Sequence, residues 1–161
     1  MLKKIFFSLF FLLNFFWVFS QKRELIHIGK INDSSSYFVK DKSVYLKKIN
    51  DSLFSSKNIV KDIDIRKGIT LGDEKEVYYY LQFITDSVVY NRLLLNELES
   101  LYIVNDNQEE FTVYDFYISC VGIDDSCNAR IFLIDNKYIW SCKDVLICGP
   151  DSGCKSSITI F

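Results

Sequence analysis

The chain has 161 residues, with 19 Lys and Arg against 21 Asp and Glu, a net charge of −2, and a single His, Pro and Met. Lys3 and Lys4 stand in an acid-free opening of 20 residues, so the remaining 141 (161 less 20) carry −4, without the clustered cations that a nucleic-acid binder needs. Those 141 residues have an ordinary apolar share for a globular protein and the length of one small domain, residues 21–161.

The opening itself has the order of a secretory signal peptide: Lys3-Lys4, the apolar run Ile5 to Phe19, then Val18-Phe19-Ser20 at the exit. Cleavage is expected after Ser20, making the mature protein secreted or periplasmic. The run is shorter than the roughly 20 residues that span a bilayer, and nothing after Gln21 is apolar for long enough, so no membrane span is expected after signal removal.

Along the mature chain, Glu24-Leu-Ile-His-Ile-Gly alternates as a first strand with His27 on one face. Leu46, Ile49 and Leu53 have the spacing of a short helix, and Val77 to Ile84 reads as a strand that places Tyr78 and Tyr80 on one face and Tyr79 on the other. From Ser87 to Tyr102 two readings compete, strands or a helix with Tyr90, Leu94, Leu98 and Leu101 on one side. Asp41, Asp73, Asp106 and Asp135 each lead to a β-branched and aromatic pair, at spacings of 32, 33 and 29 residues. The expected fold is therefore mainly β, as tandem antiparallel hairpin repeats of about 30 residues (37–70, 71–103, 104–132, 133–161) with one or two short helices. An α+β arrangement is the alternative.

Phe38-Val-Lys-Asp41-Lys-Ser-Val44-Tyr45 and Asp73-Glu-Lys-Glu-Val77-Tyr78-Tyr79 resemble the turn-and-strand unit of the DKNYY family of bacterial secreted repeat proteins, whose units carry Lys-Asp-Lys before Val-Tyr-Tyr. The first unit is one residue shorter before Val44, and the third and fourth keep only the Asp and aromatic positions. The resemblance covers most of residues 37–161 and implies architecture and export, with no assigned chemistry.

All five cysteines lie between positions 120 and 154. In an exported chain such a cluster implies disulfides, and an odd count leaves one thiol over. Equivalence of the two bracketed Asp-Ser turns pairs Cys120 with Cys127 and Cys148 with Cys154, leaving Cys142 as the free thiol. Without a Cys-x-x-Cys, and with the one His some 90 residues upstream, neither a metal site nor a cofactor is expected.

His27 is the one candidate for an imidazole base, which argues against nucleophile-and-base hydrolysis. Asp62 and Asp64 would share a strand face, either as paired acids or as a solvated face beside Lys61 and Arg66. Asp124, Asp125 and Asp151 lack the ordered ligand spacing of a calcium loop, and the six glycines form no phosphate loop. There remain the aromatics Tyr78, Tyr80, Tyr114, Tyr138 and Trp140, which either fill the sheet or form a row that binds a protein, peptide or glycan. The expected function is an exported non-enzymatic module that binds a partner or has a structural role at the envelope. A small carboxylate-dependent hydrolase acting on glycans and an inhibitor of a secreted enzyme are the alternatives.

Overall fold

The structure is a computed structural model that describes residues 24–33, 35–52, 59–105, 112–122, 127–143 and 153–159. Among them are eleven strands and one helix: β1 (Glu24–Asn32), β2 (Ser35–Phe38), α1 (Lys42–Ser52), β3 (Asp62–Ile69), β4 (Leu71–Gly72), β5 (Val77–Ile84), β6 (Val89–Glu97), β7 (Ser100–Asn105), β8 (Tyr117–Gly122), β9 (Arg130–Ile134), β10 (Lys137–Ser141) and β11 (Cys154–Thr159). The fold is mainly β with one short helix. No helix among the described residues is long and apolar enough to cross a membrane.

Two sheets divide the strands. In the larger, eight-stranded one every pairing is antiparallel, and β6 is its hub. β5 pairs with β6 from Tyr79↔Leu94 to Ile84↔Val89, β8 takes its early residues Tyr90 and Asn91, and β7 takes its late ones, Leu95 to Glu97. Outward from this hub, β3 lies on β5, β1 on β7, β2 on β1 and β11 on β8. The smaller sheet is β10-β9-β4, in which β4 runs parallel to β9 and places Leu71 opposite Phe132.

Alternation along β5 decides how the layers stack. Tyr79, Leu81 and Phe83 join Ile63 and Ile65 of β3, Leu94 of β6, and Leu101 and Ile103 of β7 in the main core, which α1 covers with Tyr45 and Ile49. Tyr78 points the other way and packs with Leu93 against Ile131 of β9. β5 is thus buried on both faces, which is why its sequence is an almost unbroken apolar and aromatic run. Gly68 makes room here: it sits opposite Tyr78, whose ring occupies the space where a Cβ would be.

Helix α1 starts where Asp41 caps it. The Asp41 carboxylate accepts from the backbone N–H of Ser43 at 2.8 Å and from its hydroxyl at 2.6 Å, the arrangement by which an N-cap satisfies a free helical donor. These same bonds hold the Asp41 carboxyl below its ordinary value. Three further links fasten the helix: the Tyr45 hydroxyl donates to the His27 carbonyl, Lys42 pairs with Asp62 at 2.9 Å, and the Asn50 amide donates to the Val60 carbonyl while accepting from the Val60 N–H.

Among the described residues no tandem repeat is seen. Stretch 37–70 contains a helix and one long strand, whereas 71–103 contains β5, β6 and most of β7, so equivalent positions differ in structure. Asp41 and Asp73 illustrate the reason, since a turn-forming Asp serves equally as a helix cap and as a loop residue. Residues 87–102 are strands, not a helix. They escape easy reading because β6 and β7 meet at Leu98-Glu99, both in the left-handed region at φ 49° and 65°, a two-residue turn that normally uses Asn or Gly. Asp135-Asn136, at φ 48° and 58° between β9 and β10, makes the same kind of turn with suitable residues.

Leu98 is 99% exposed and packs on nothing that would compensate its backbone strain. The double substitution Leu98→Asn, Glu99→Gly is expected to stabilise the protein by about 1 kcal/mol. A urea midpoint that stays level or falls refutes the strain assigned to this turn.

Candidate functional site

The aromatics singled out in the sequence come together, but as a filling between the two sheets. Tyr78 and Tyr80 lie 5.7 Å apart on one face of β5, and Trp140 of β10 meets both edge-on, at 6.5 Å and 6.4 Å between centroids. Tyr114 and Tyr138 pack on the same cluster, and the Tyr138 hydroxyl donates to Glu76 at 2.6 Å. Edge-to-face packing of this kind joins layers, with Tyr78 buried and Tyr80, Tyr114, Tyr138 and Trp140 partly buried around it. Burial pushes the Tyr78 and Tyr80 phenols up from their ordinary value, and Tyr138 is raised by burial and then by its bond to Glu76.

The disulfide pairing differs from the bracketed-turn expectation. Cys120 bonds Cys142, with Cα atoms 5.4 Å apart, and Cys127 bonds Cys154, at 5.6 Å. Cys142 is therefore not the free thiol, and neither bracketed turn is stapled to itself; Cys148 lies outside the described residues. The physical reason is strand register. β11 pairs with β8 so that Cys154 is opposite Gly122, at the end of β8, where Cys127 lies close by. Cys120, within β8, faces the end of β10 instead.

The remaining candidates are occupied structurally. His27 bonds the Gly29 carbonyl through Nε2 at 3.1 Å and stacks on Tyr102 at 5.0 Å, beside the irregularity where β1 slips its register against β7. Asp62 pairs with Lys42, and Asp64 pairs with Arg66 at 2.9 Å, so the two acids form a cation-paired strand face. The Lys42 hydrogen bond lowers the Asp62 carboxyl from its ordinary value, the opposite of what a carboxylic acid proton donor needs. Asp124, Asp125 and Asp151 lie outside the described residues.

The arrangement with chemical potential was not singled out by the sequence. Between α1 and the inner face of β1, β6 and β7 lies a cleft of about 340 Å³. Its walls are Ile26, Ile28, Ile49 and Ile103 with Tyr45 and Tyr117, while Glu24, Lys48 and Asn105 stand among its polar lining. Arg92, only 7% exposed, also lines it. Its position on β6 follows from alternation: Arg92 shares the inner face with Leu94, opposite Leu81 of β5.

The Arg92 guanidinium donates through Nε to the Tyr114 carbonyl at 3.0 Å, through Nη1 to the Tyr117 hydroxyl at 2.6 Å and through Nη2 to the Val104 carbonyl at 2.5 Å. It also lies over the Tyr117 ring at 4.8 Å. Two carbonyls and a phenol satisfy donors without supplying negative charge, and no carboxylate among the described residues pairs with it. A cation buried this deeply is normally compensated, since desolvating it costs several kcal/mol. Burial also raises the Tyr117 phenol, an effect partly opposed by the neighbouring Arg92 charge.

No family model, no curated protein and no solved structure matches this chain.

Two measurements test these contacts. On the loop-entropy account, bridges spanning separations of 22 and 27 residues stabilise by about 3 kcal/mol each. Replacing Cys127 and Cys154 together by Ala is therefore expected to lower unfolding free energy by about that amount, and a non-reducing peptide map should join Cys120 to Cys142. Recovery of a Cys120–Cys127 peptide contradicts the fold. Secondly, Tyr78, Tyr80, Tyr117 and Tyr138 have native phenols raised above 10.0, so the native state holds their protons more tightly than the unfolded chain does. Their contribution is level below about pH 10 and is lost as pH climbs beyond it. Phenolate absorbance should then show a delayed group that appears together with unfolding; simultaneous ionisation of all ten tyrosines near pH 10 opposes it.

Proposed function

We propose that the protein is an exported, non-enzymatic binding module, and that its site is the cleft between α1 and the larger sheet. One observation carries this reading: a buried guanidinium without a carboxylate partner among the described residues opens onto an apolar space of about 340 Å³. Small-molecule sites have this composition, mostly apolar walls with a few placed polar groups, and begin near 300 Å³. The helix that forms one wall is held at both ends, by the Lys42–Asp62 pair near its start and the Asn50–Val60 amide clamp near its finish, so the cleft is preformed.

Export is supported by two disulfides, which persist in oxidising compartments, and by the signal-like order of residues 1–20. The resemblance to the DKNYY secreted proteins implies the same route. With Tyr78, Tyr80 and Trp140 packed between sheets, the cleft is a better candidate for the binding surface than the aromatic row.

Expressed with its leader, the protein should be recovered outside the cytoplasm beginning at Gln21. The purified form should take up one equivalent of a neutral environment-sensitive dye such as N-phenyl-1-naphthylamine. Ile26→Trp, which fills the cleft from a partly buried position, should weaken uptake at least tenfold while leaving the unfolding midpoint nearly unchanged. Absence of saturable uptake, or uptake indifferent to Ile26→Trp, overturns the proposal.

A further inference from the structure

Resting on that reading of the cleft, we infer that its ligand is an amphiphilic monocarboxylate, a fatty-acid-like molecule whose headgroup meets the Arg92 guanidinium and whose chain lies among the isoleucines. Donor arithmetic supplies the first support. A guanidinium has five N–H groups, one on Nε and two on each terminal nitrogen. Three are used by the Tyr114 carbonyl, the Tyr117 hydroxyl and the Val104 carbonyl, so one N–H remains on Nη1 and one on Nη2. Two donors on neighbouring nitrogens are what a carboxylate takes with its two oxygens.

Charge points to the same class. The buried cation is single and has no carboxylate partner among the described residues, so one negative charge neutralises it. A phosphate carrying close to two charges would bring more charge than the one buried cation neutralises, while Glu24 and Lys48 in the lining offset each other. The Tyr117 phenol beside Arg92 stays neutral and adds no competing negative charge. Shape completes the match: Ile26, Ile28, Ile49 and Ile103 provide an apolar path that suits an alkyl chain, whereas a sugar or peptide laid along it would leave its own polar groups unpaired.

Competition against bound N-phenyl-1-naphthylamine, using dodecanoate, dodecanol and dodecyl phosphate on the disulfide-bonded protein, tests the assignment. Dodecanoate is expected to bind at least tenfold tighter than either of the others, and Arg92→Met to remove its advantage over dodecanol while dodecanol affinity is retained. Equal affinity for dodecanoate and dodecanol in the unaltered protein overturns the headgroup assignment and leaves the apolar cleft standing. Tighter binding of dodecyl phosphate overturns the carboxylate class. Failure of the dye itself to bind removes both this inference and the one before it. If Arg92→Met does not fold, carboxyl-labelled dodecanoate on the unaltered protein decides by NMR: its carboxyl group should ionise at a lower pH than in free solution, and an unshifted or raised titration overturns contact with Arg92.

Discussion

The structure depends on how β6 holds two departing strands at once. Its late residues pair with β7 and its early residues with β8, so the sheet would tend to part between them. Arg92 lies in that interval and reaches both sides, bonding the carbonyl of Val104 in β7 and the carbonyl of Tyr114 and hydroxyl of Tyr117 at the approach to β8. A neutral side chain of that length has too few donors to make these three links. Their net contribution offsets part of the desolvation of the charge. The side chain that joins these strands is thus the same one that lines the cleft.

Much of the β5 region was legible because its signals are local. Val77 to Ile84 has alternation, β-branched ends and aromatic content, and the predicted division of Tyr78 and Tyr80 from Tyr79 is the division between the two cores. The helix was legible as an alternative, through Leu46 and Ile49, both of which pack on the core. Residues 87–102 were ambiguous because the apolar run of β6 matches a helical face as well as a strand buried on both sides, and Leu98-Glu99 gives no turn signal. The evenly spaced aspartates suggested a repeat because Asp favours turns, caps and loops alike, and spacing alone does not distinguish them.

The site was less legible than the fold, and the difference is one of range. Arg92 sits in the run Asn91-Arg-Leu-Leu-Leu, where a solitary cation inside an apolar strand was the available signal. Its meaning depends on Tyr114, Tyr117 and Val104, brought together by register between strands far apart in the chain. The cysteine pairing failed for the same reason: local symmetry between two bracketed turns suggested short loops, while the register of β11 on β8 set the actual partners.

Those partners overlap along the chain in the order 120, 127, 142, 154, with the second bridge beginning inside the first and ending past it. Every peptide bond from Cys120 to Cys154 is thereby spanned by at least one bridge. A protease that cuts once anywhere in this part of the molecule opens a backbone but releases no fragment, because the two ends stay covalently tethered. Self-stapled turns would have left the stretch between them, β9 and β10 included, with no bridge across it, so that one cut there would part the chain in two. Crossed bridges thus convert a cleavage into a nick.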